Sequence, residues 1–504
     1  MSVTSDTIEL IKTARSAPDD LIKSFIQPTG ATVGFQTYNL LAPSLKYTPV
    51  LTPLRNSIPR NRGGFAIQAN WKTVTDINVG NVRAGVSQGN RGGVITHKLS
   101  EYFASFRGFG LENFVTFEAN YAAANFEDIK ALAIETTLQA TMVQEERMIL
   151  AGNTSLQLGT TPTPTLTAAP TGGSLATGTV SVICVALTLQ AYLDVVGVNN
   201  GSIGGYFNAA TATVPGTLTR TNADGSSDTF GGGSAAQSAN ATVAVTGPNG
   251  SVAATVAVIN GAIGYAWFTG AAGSELLTAV TSINSVKITA SPVAGAQTAA
   301  SLGNADNSTS AIEFDGLLTQ AFKPGSNAYV FAQPTGVAGV GTPLTADFAG
   351  GVVEIENAFV QFYNRYRISP THMYVSSQEM ENILRKVIQG NGAPLLAFAP
   401  NKSDPIKFDA GISLGSYTNK VVGRRVEVVV HPNVPAGTIL FYCDDLGMPL
   451  SNVSNPVQML LRQDYYQIDW PVTGRKYTYG VYADGVLQHF APFSMGVITN
   501  IGNG

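Results

Sequence analysis

Residues 125–153, NFEDIKALAIETTLQATMVQEERMILAGN, decide how this chain is read. Asn125 stands where a helix cap belongs, and Glu127 and Asp128 place negative charge on the first turn, where the peptide dipoles favour it. Ile129, Leu132, Ala133, Thr136, Ala140, Val143 and Leu150 follow at helical spacing and predict one apolar face. Gly152-Asn153 supplies a left-handed stop. Some 26 residues at about 1.5 Å each predict a helix about 40 Å long. The region is acidic, with seven carboxylates and two bases between residues 111 and 150.

Directly after this helix the charge disappears. The 504-residue chain has 29 Lys or Arg and 33 Asp or Glu, yet only seven of these fall within residues 155–310. A Thr/Ala/Gly/Val block of that length, set into a mixed framework, predicts a β-rich domain inserted into a host domain. Thr160-Thr-Pro-Thr-Pro164 opens it as a stiff linker. Candidate strands at 179–189, 241–246, 253–259, 264–268 and 285–290 alternate with turn signals such as Asp224-Gly225, Gly231-Gly-Gly233 and Pro248-Asn-Gly250. That spacing predicts an immunoglobulin-like sandwich.

On the N-terminal side, a short amphipathic helix at 7–17 precedes Pro28, Pro43, Pro49, Pro53 and Pro59, which predict an extended arm over 1–60. Residues 61–110 predict a long β-hairpin, one strand alternating as Phe65, Ile67, Ala69, Trp71, the other running from Val94 towards Phe106. Between Lys46 and Lys98 there are eight bases against one acid, Asp76. The host framework resumes near Ile312. Helices are expected at 348–365 and 378–389, and strands at 372–375, 421–430, 437–443, 457–461, 477–482 and 486–490. The domain plan is therefore 1–60 arm, 61–110 hairpin, 111–154 long helix, 155–310 insert and 311–504 returning host, an α+β class.

Composition narrows the function. A charged share of 12% is about half the globular norm, so many surface positions are polar and uncharged or are covered by other copies. A net charge of −4 argues against a dedicated nucleic-acid binder. Cys184 and Cys443 fall in different predicted domains and suit a reducing cytosol. The first residues show no secretory pattern, and no run of 18 apolar residues predicts a membrane span.

Motifs for chemistry are weak. Gly85-Val-Ser87-Gln-Gly89 and Gly411-Ile-Ser413-Leu-Gly415 match a nucleophile elbow in letters, but the first sits in a polar glycine-rich loop and the second runs into a strand. His97, His372, His431 and His489 are scattered without metal-ligand spacing. Asp444-Asp445 reads as a turn, and Asn222-Ala-Asp224-Gly-Ser-Ser-Asp228 reads as a hairpin turn rather than a calcium loop. No catalytic residue, cofactor or metal site is assigned. The basic hairpin and the acidic helix are complementary in sign, which suits contact between subunits.

Several segments in order carry a family resemblance. These are Glu145-Glu146-Arg147-Met-Ile-Leu-Ala-Gly152, Phe314-Asp-Gly-Leu-Leu-Thr-Gln320, Tyr366-Arg-Ile-Ser-Pro-Thr-His-Met-Tyr-Val-Ser376, the strand pair within 425–441, and Tyr479-Gly-Val-Tyr-Ala-Asp-Gly-Val-Leu487, which looks like a last hairpin. Together, over about 350 residues outside the insert, the chain resembles the major capsid proteins of tailed phages, which share the Hong Kong 97 fold. The resemblance implies an N-terminal arm, an extended loop, a spine helix, and peripheral and axial domains. It implies a structural protein of the virion, assembled in the host cytoplasm into hexamers and pentamers that form an icosahedral shell around double-stranded DNA. The partners it implies are other copies, a portal and either a separate scaffolding protein or none, because the arm here begins too early to include a built-in scaffold. Non-specific contact with packaged DNA also follows, and the insert is expected to decorate the outside, where a decoration protein or a host surface could meet it. Lys72 and Lys98 lie in the hairpin, but no cross-link is expected. Contacts between subunits are expected from Arg60, Arg62, Arg83 and Arg91 on one copy to Glu127, Glu135, Glu145 or Glu146 on another. The rival readings are a bacterial surface adhesin, which should carry a signal sequence, and a hydrolase with a carbohydrate-binding insert.

Overall fold

The computed structural model describes residues 50–504 except 78–79, 81, 125, 198–206, 390–399, 402–403, 409–414 and 447–454. The segment 7–17, Pro28, Pro43, Pro49 and the capping Asn125 lie outside the described residues. Residues 118–129 belong to one compact unit with residues 1–47, and residues 48–117 and 130–504 form a second.

Pro53 opens a five-residue helix, α1 (Pro53–Ser57), at a position where its missing N–H costs nothing. The chain then runs through β1 (Arg60–Arg62), β2 (Gln68–Asp76), β3 (Lys98–Ser105) and β4 (Arg107–Thr116). β2 and β3 pair antiparallel as a two-stranded ribbon, with Trp71 opposite Tyr102. The expected alternation holds only in part. Ala69 and Trp71 are buried, whereas Phe65 and Ile67 precede the strand and are each 81% exposed. Gly63 at φ 146° and Ala66 at φ 62° turn the chain there, so strand geometry begins only at Gln68. The second strand likewise starts at Lys98 and not at Val94.

A short helix, α2 (Phe117–Ala122), precedes the long helix, α3 (Ile129–Ala151), of 23 residues. The single apolar stripe is corrected by the structure. Ile129, Leu132, Ala133, Thr136 and Ala140 are only half-buried, while every residue from Glu145 to Ala151 is buried on all sides. The last two turns are enclosed because Ile149 and Leu150 share one core with Leu54 of α1, with Leu189 and Leu193 of the insert, and with Phe314 and Leu317. Nor is Gly152 left-handed. A glycine stands there because any Cβ would strike the carbonyl oxygen of Phe314, where the returning chain crosses the helix end.

The insert contributes β5 (Thr165–Ala169), β6 (Gly178–Leu187), α4 (Leu189–Val196), β7 (Thr217–Thr221), β8 (Ser227–Gly231), β9 (Ala241–Val245), β10 (Ser251–Thr255), β11 (Gly264–Gly270), β12 (Leu276–Thr281) and β13 (Ser285–Ile288). Two antiparallel sheets, ordered β13-β10-β5 and β12-β11-β6-β9, enclose a core around Cys184, Val252, Trp267 and Ile288. This grouping differs from the immunoglobulin order, in which the third strand joins the sixth and seventh. β6 is buried on both faces because α4 covers its other side, packing Ala191 and Val195 against Val185, Leu187 and Phe268. The sequence reading carried the strand on through Leu189. Thr188, whose side chain accepts from Ala191 N–H, and Gly197 at φ 70° are the caps that mark this helix.

At the root of the insert, burial pushes the Glu313 carboxyl from its ordinary 4.5 up to about 7, against the Asn153 N–H and the Arg147 charge, which favour the carboxylate. An acid whose pKa rises on folding takes up a proton as the chain folds. Its stabilising contribution is therefore full below pH 4.5 and is lost as pH rises through about 7. Urea midpoints measured from pH 4.5 to 8 should fall more steeply for the natural chain than for Glu313→Gln. Equal slopes would show that Glu313 is not the source.

The returning host holds α5 (Leu317–Phe322), β14 (Tyr329–Ala332), α6 (Val353–Tyr366), β15 (His372–Val375), α7 (Ser377–Gln389), β16 (Pro400–Asn401), β17 (Asp404–Phe408), β18 (Ser416–Asn419), β19 (Arg424–Val430), β20 (Ile439–Tyr442), β21 (Val457–Asp469), β22 (Lys476–His489) and β23 (Met495–Thr499). A six-stranded mixed sheet, β14-β23-β20-β15-β19-β18, packs against α6 through Phe359, Phe362 and Phe441. A four-stranded sheet, β1-β21-β22-β4, pairs the end of the arm parallel to β21, Arg60 against Met459. The expected hairpin at Asp484-Gly485 is not formed. β22 runs straight through it, because Asp484 pairs with Gln463 and Gly485 with Leu461, and bulges in β21 absorb the mismatch. Gly485 is needed for closeness, since a Cβ would lie 2.6 Å from Leu461 Cδ2.

Candidate assembly surfaces

The hairpin is fixed at its base. Trp71 Nε1 donates to His489 O at 2.9 Å, Thr73 Oγ1 to Phe490 O at 2.5 Å, and the Trp71 ring packs edge-on to His489. Beyond this anchor the ribbon exposes several large apolar side chains. Residues facing each other across an antiparallel pair share a face, so Asn70 with Phe103, Lys72 with Glu101 and Val74 with Leu99 line one side. Phe103 is 73% exposed, and Val74 and Leu99 are more than half exposed. The connecting residues 82–97 include Arg83, Arg91 and His97, all exposed, and Val94, and contain no acid.

The eight residues expected to meet a neighbour divide into two groups. Arg60, Glu145 and Glu146 are engaged inside the chain, which corrects the expectation that they face another copy. Glu145, with no solvent exposure, accepts Arg60 Nη1 at 2.6 Å, Arg55 Nε at 2.9 Å and the Tyr465 hydroxyl. Both arginines lie over the Tyr465 ring, at 5.1 and 5.3 Å. Glu146 is also fully enclosed. It accepts Leu54 N–H at 2.9 Å, Arg55 N–H at 2.6 Å and His431 Nε2–H at 2.6 Å, while Asn433 N–H is directed at the other ring nitrogen. These two adjacent carboxylates pin α1 and β1 to the end of α3 and to the turn after β19. Arg62 is mostly exposed and pairs with Asp464 at 3.0 Å. Arg83, Arg91 and Glu135 are exposed and Glu127 is half-buried.

Further apolar side chains are exposed around the six-stranded sheet: Val330 and Phe331 on edge strand β14, and Phe348 towards the opposite edge, where its neighbours Asp347 and Gly351 lie against Lys420 and Tyr417 of the β18 end. Val337, Val340 and Phe348 are exposed by 69, 53 and 78%. Phe348 has φ 56°, a strained conformation for an aromatic residue, held by Asp347 Oδ1 accepting the Ala349 and Gly351 N–H groups. In the sequence only Asp347 and the Gly350-Gly351 pair hint at the turn that exposes Phe348.

The motifs considered for chemistry take ordinary roles. Ser87 accepts from Asn90 within an exposed turn, and Ser413 lies outside the described residues. Asn222, Asp224, Ser226 and Asp228 bond to one another at the β7–β8 turn, as expected of a hairpin. Among the described residues no three His, Cys, Asp or Glu side chains are grouped to hold a metal, and no helix is long and apolar enough to cross a membrane.

The sequence matches no protein-family model and no curated protein. Among solved structures it is similar to the capsid of a native GTA particle (8% identity, 94% of this chain and 97% of that one, TM-score 0.42). It is also similar to the cyanophage Pam1 capsid (9%, 94% and 98%, 0.41) and to the capsid of Myoviridae phage XM1 (9%, 92% and 97%, 0.40).

Proposed function

We propose that this chain is the major capsid protein of a tailed phage, a structural subunit that assembles into hexamers and pentamers of an icosahedral shell around double-stranded DNA. The observation that carries this is the ribbon β2–β3. It is anchored at one end by Trp71 and Thr73, and beyond them it and its connecting loop carry Phe103, Val74, Leu99 and Val94, each more than half exposed. An isolated two-stranded ribbon is marginally stable in water, and contiguous exposed apolar groups mark a surface meant for a partner. A second copy of the same chain is that partner. The exposed Val330 and Phe331 on edge strand β14 supply another contact, between axial domains around a capsomer axis. A separate scaffolding protein and a portal complete the assembly, the DNA contact is non-specific, and the insert faces outward, where a decoration protein or a host surface can meet it.

In this reading Arg83 and Arg91 of one copy face Glu127 and Glu135 of the next. Each exposed pair contributes only about 0–1 kcal/mol, but the pairs repeat over the whole shell and set register. Electron microscopy with sedimentation velocity on the purified protein tests the reading: closed shells or rings of five and six are expected, and a monomer that remains so with its scaffold co-expressed counts against it. Arg83→Glu with Arg91→Glu should prevent closure, and Glu127→Arg with Glu135→Arg in the same chain should restore it. Unaltered assembly and salt dependence in the double reversal would remove the charge pairing from the account.

A further inference from the structure

Among the described residues the insert is bonded to the host at its root, at the end of α3, at the β12–β13 turn, and through Asn260 Nδ2, which donates to Phe322 O at 2.7 Å. At its root, entry closes against exit: Asn153 Nδ2 donates to Ser308 O at 2.8 Å, and Ser310 N–H donates to Asn153 O at 2.7 Å. At the end of α3, Arg147, almost fully buried, donates to Asp194 of α4 at 2.7 Å. At the β12–β13 turn, Asn284 is 1% exposed and all its donors go to fixed partners. Its backbone N–H reaches Asn500 Oδ1 at 2.8 Å, and its Nδ2 reaches Thr335 Oγ1 at 2.9 Å and Val256 O at 2.6 Å. Beside it, Ser285 Oγ accepts Gly339 N–H at 3.0 Å. Asn500 has φ 60° and passes the connection on, donating Nδ2 to Gln333 O at 2.6 Å.

Asn500 directly follows β23 and Gln333 directly follows β14, so the β12–β13 turn is bonded to the edge of the six-stranded sheet. A domain carried on a tether needs no buried polar contact with two host segments distant in sequence. Buried donors of this kind are costly when unpaired, so they hold one geometry and penalise every displaced one.

We propose that the insert is a strut. It ties the end of α3 to the β14–β23 edge, a second tie beside the direct packing of Ile149 and Leu150 on Leu440 and Val497 of the sheet, and it holds that edge in one arrangement. The strut operates within one subunit, whichever assembly that subunit enters.

Hydrogen exchange read by mass spectrometry on the full-length chain tests this. In Asn284→Ala, exchange at 333–342 and 495–502 should accelerate about tenfold, the consequence of a lost buried hydrogen bond. Segments 457–461 and 486–489 in the other sheet should stay as in the natural chain. Unchanged protection at 333–342 and 495–502 overturns the proposal. So does an equal acceleration in Thr219→Ala, which alters only the outlying β7–β8 hairpin. Ser285→Ala removes a single acceptor and should give the same pattern at smaller amplitude, so the test survives if Asn284→Ala does not fold. Calorimetry of the natural chain is a separate check: the insert and the six-stranded sheet should unfold in one transition, and two well-separated transitions overturn the strut.

Discussion

Glu146→Ala is expected to destabilise the subunit by about 3–5 kcal/mol, the range for removing one member of a buried charged cluster. The carboxylate has no solvent exposure and receives three donors, from Leu54, Arg55 and His431. Removing it takes the acceptor from the buried Leu54 N–H and His431 imidazole N–H and from the half-buried Arg55 N–H. Against a total stability of about 5–15 kcal/mol for a typical domain, that loss is large. Glu146→Gln keeps the volume and one acceptor but turns an NH2 group towards a donor, so a smaller loss of about 1–3 kcal/mol is expected. Urea unfolding of the unassembled subunit measures both. A loss below about 1 kcal/mol for the alanine variant, within the reach of ordinary substitutions, would mean that the cluster does not hold the arm. The consequence for assembly follows from position: α1 and β1 lead directly into the hairpin, and a hairpin whose root is released presents its apolar side to a neighbour in no fixed register.

Gly316→Ala is the second substitution with a large expected effect, about 3 kcal/mol, at the top of the range for overpacking. The backbone at Gly316 has φ −85°, which any residue adopts, so the requirement is space alone. A Cβ there would lie 2.6 Å from both Ala151 N and Met148 O, and 2.8 Å from Ile149 O. These are backbone atoms of α3 and cannot turn aside as a side chain can. Relief requires α5 to withdraw from the helix end, which would also break Gly316 N–H to Gly152 O at 2.8 Å and Thr319 Oγ1 to Gly152 O at 2.8 Å. Thermal unfolding should show the loss. An alanine variant as stable as the natural chain would show that the crossing is looser than its geometry.

Together, these two substitutions locate the same junction. The end of α3 is met by the arm through Glu145 and Glu146, by the insert through Arg147, and by the returning host through Gly152 and Gly316. Five of these positions are polar, charged or glycine, and only one kind of argument finds them in advance: a helix end with two acids and a base in a row has no solvent-facing period that suits all three.

The sequence by itself determined the α+β class and the place of the long helix to within a few residues, and it marked a charge-poor, strand-rich block after that helix, though not the block's own helix α4, because periodicity, capping residues and local composition act over short distances. It placed strand 372–375 and the helix over 377–389 almost to the residue for the same reason. It also marked the hairpin and its basic character. What it left undecided was which charges face water and which face one another. Arg60 and Glu145 are 85 residues apart, and His431 is 285 residues from Glu146, so their pairing depends on how β21 and the turn after β19 come to lie against α3. The same holds for Asp484-Gly485, a turn signal in local terms that β21 overrides by pairing across it. Tertiary structure alone decided that Phe65 and Ile67 lie outside the ribbon and that Asn284 reaches Asn500. Such contacts join segments whose separation no local pattern encodes, and their energies come from burial, which exists only once the chain has folded.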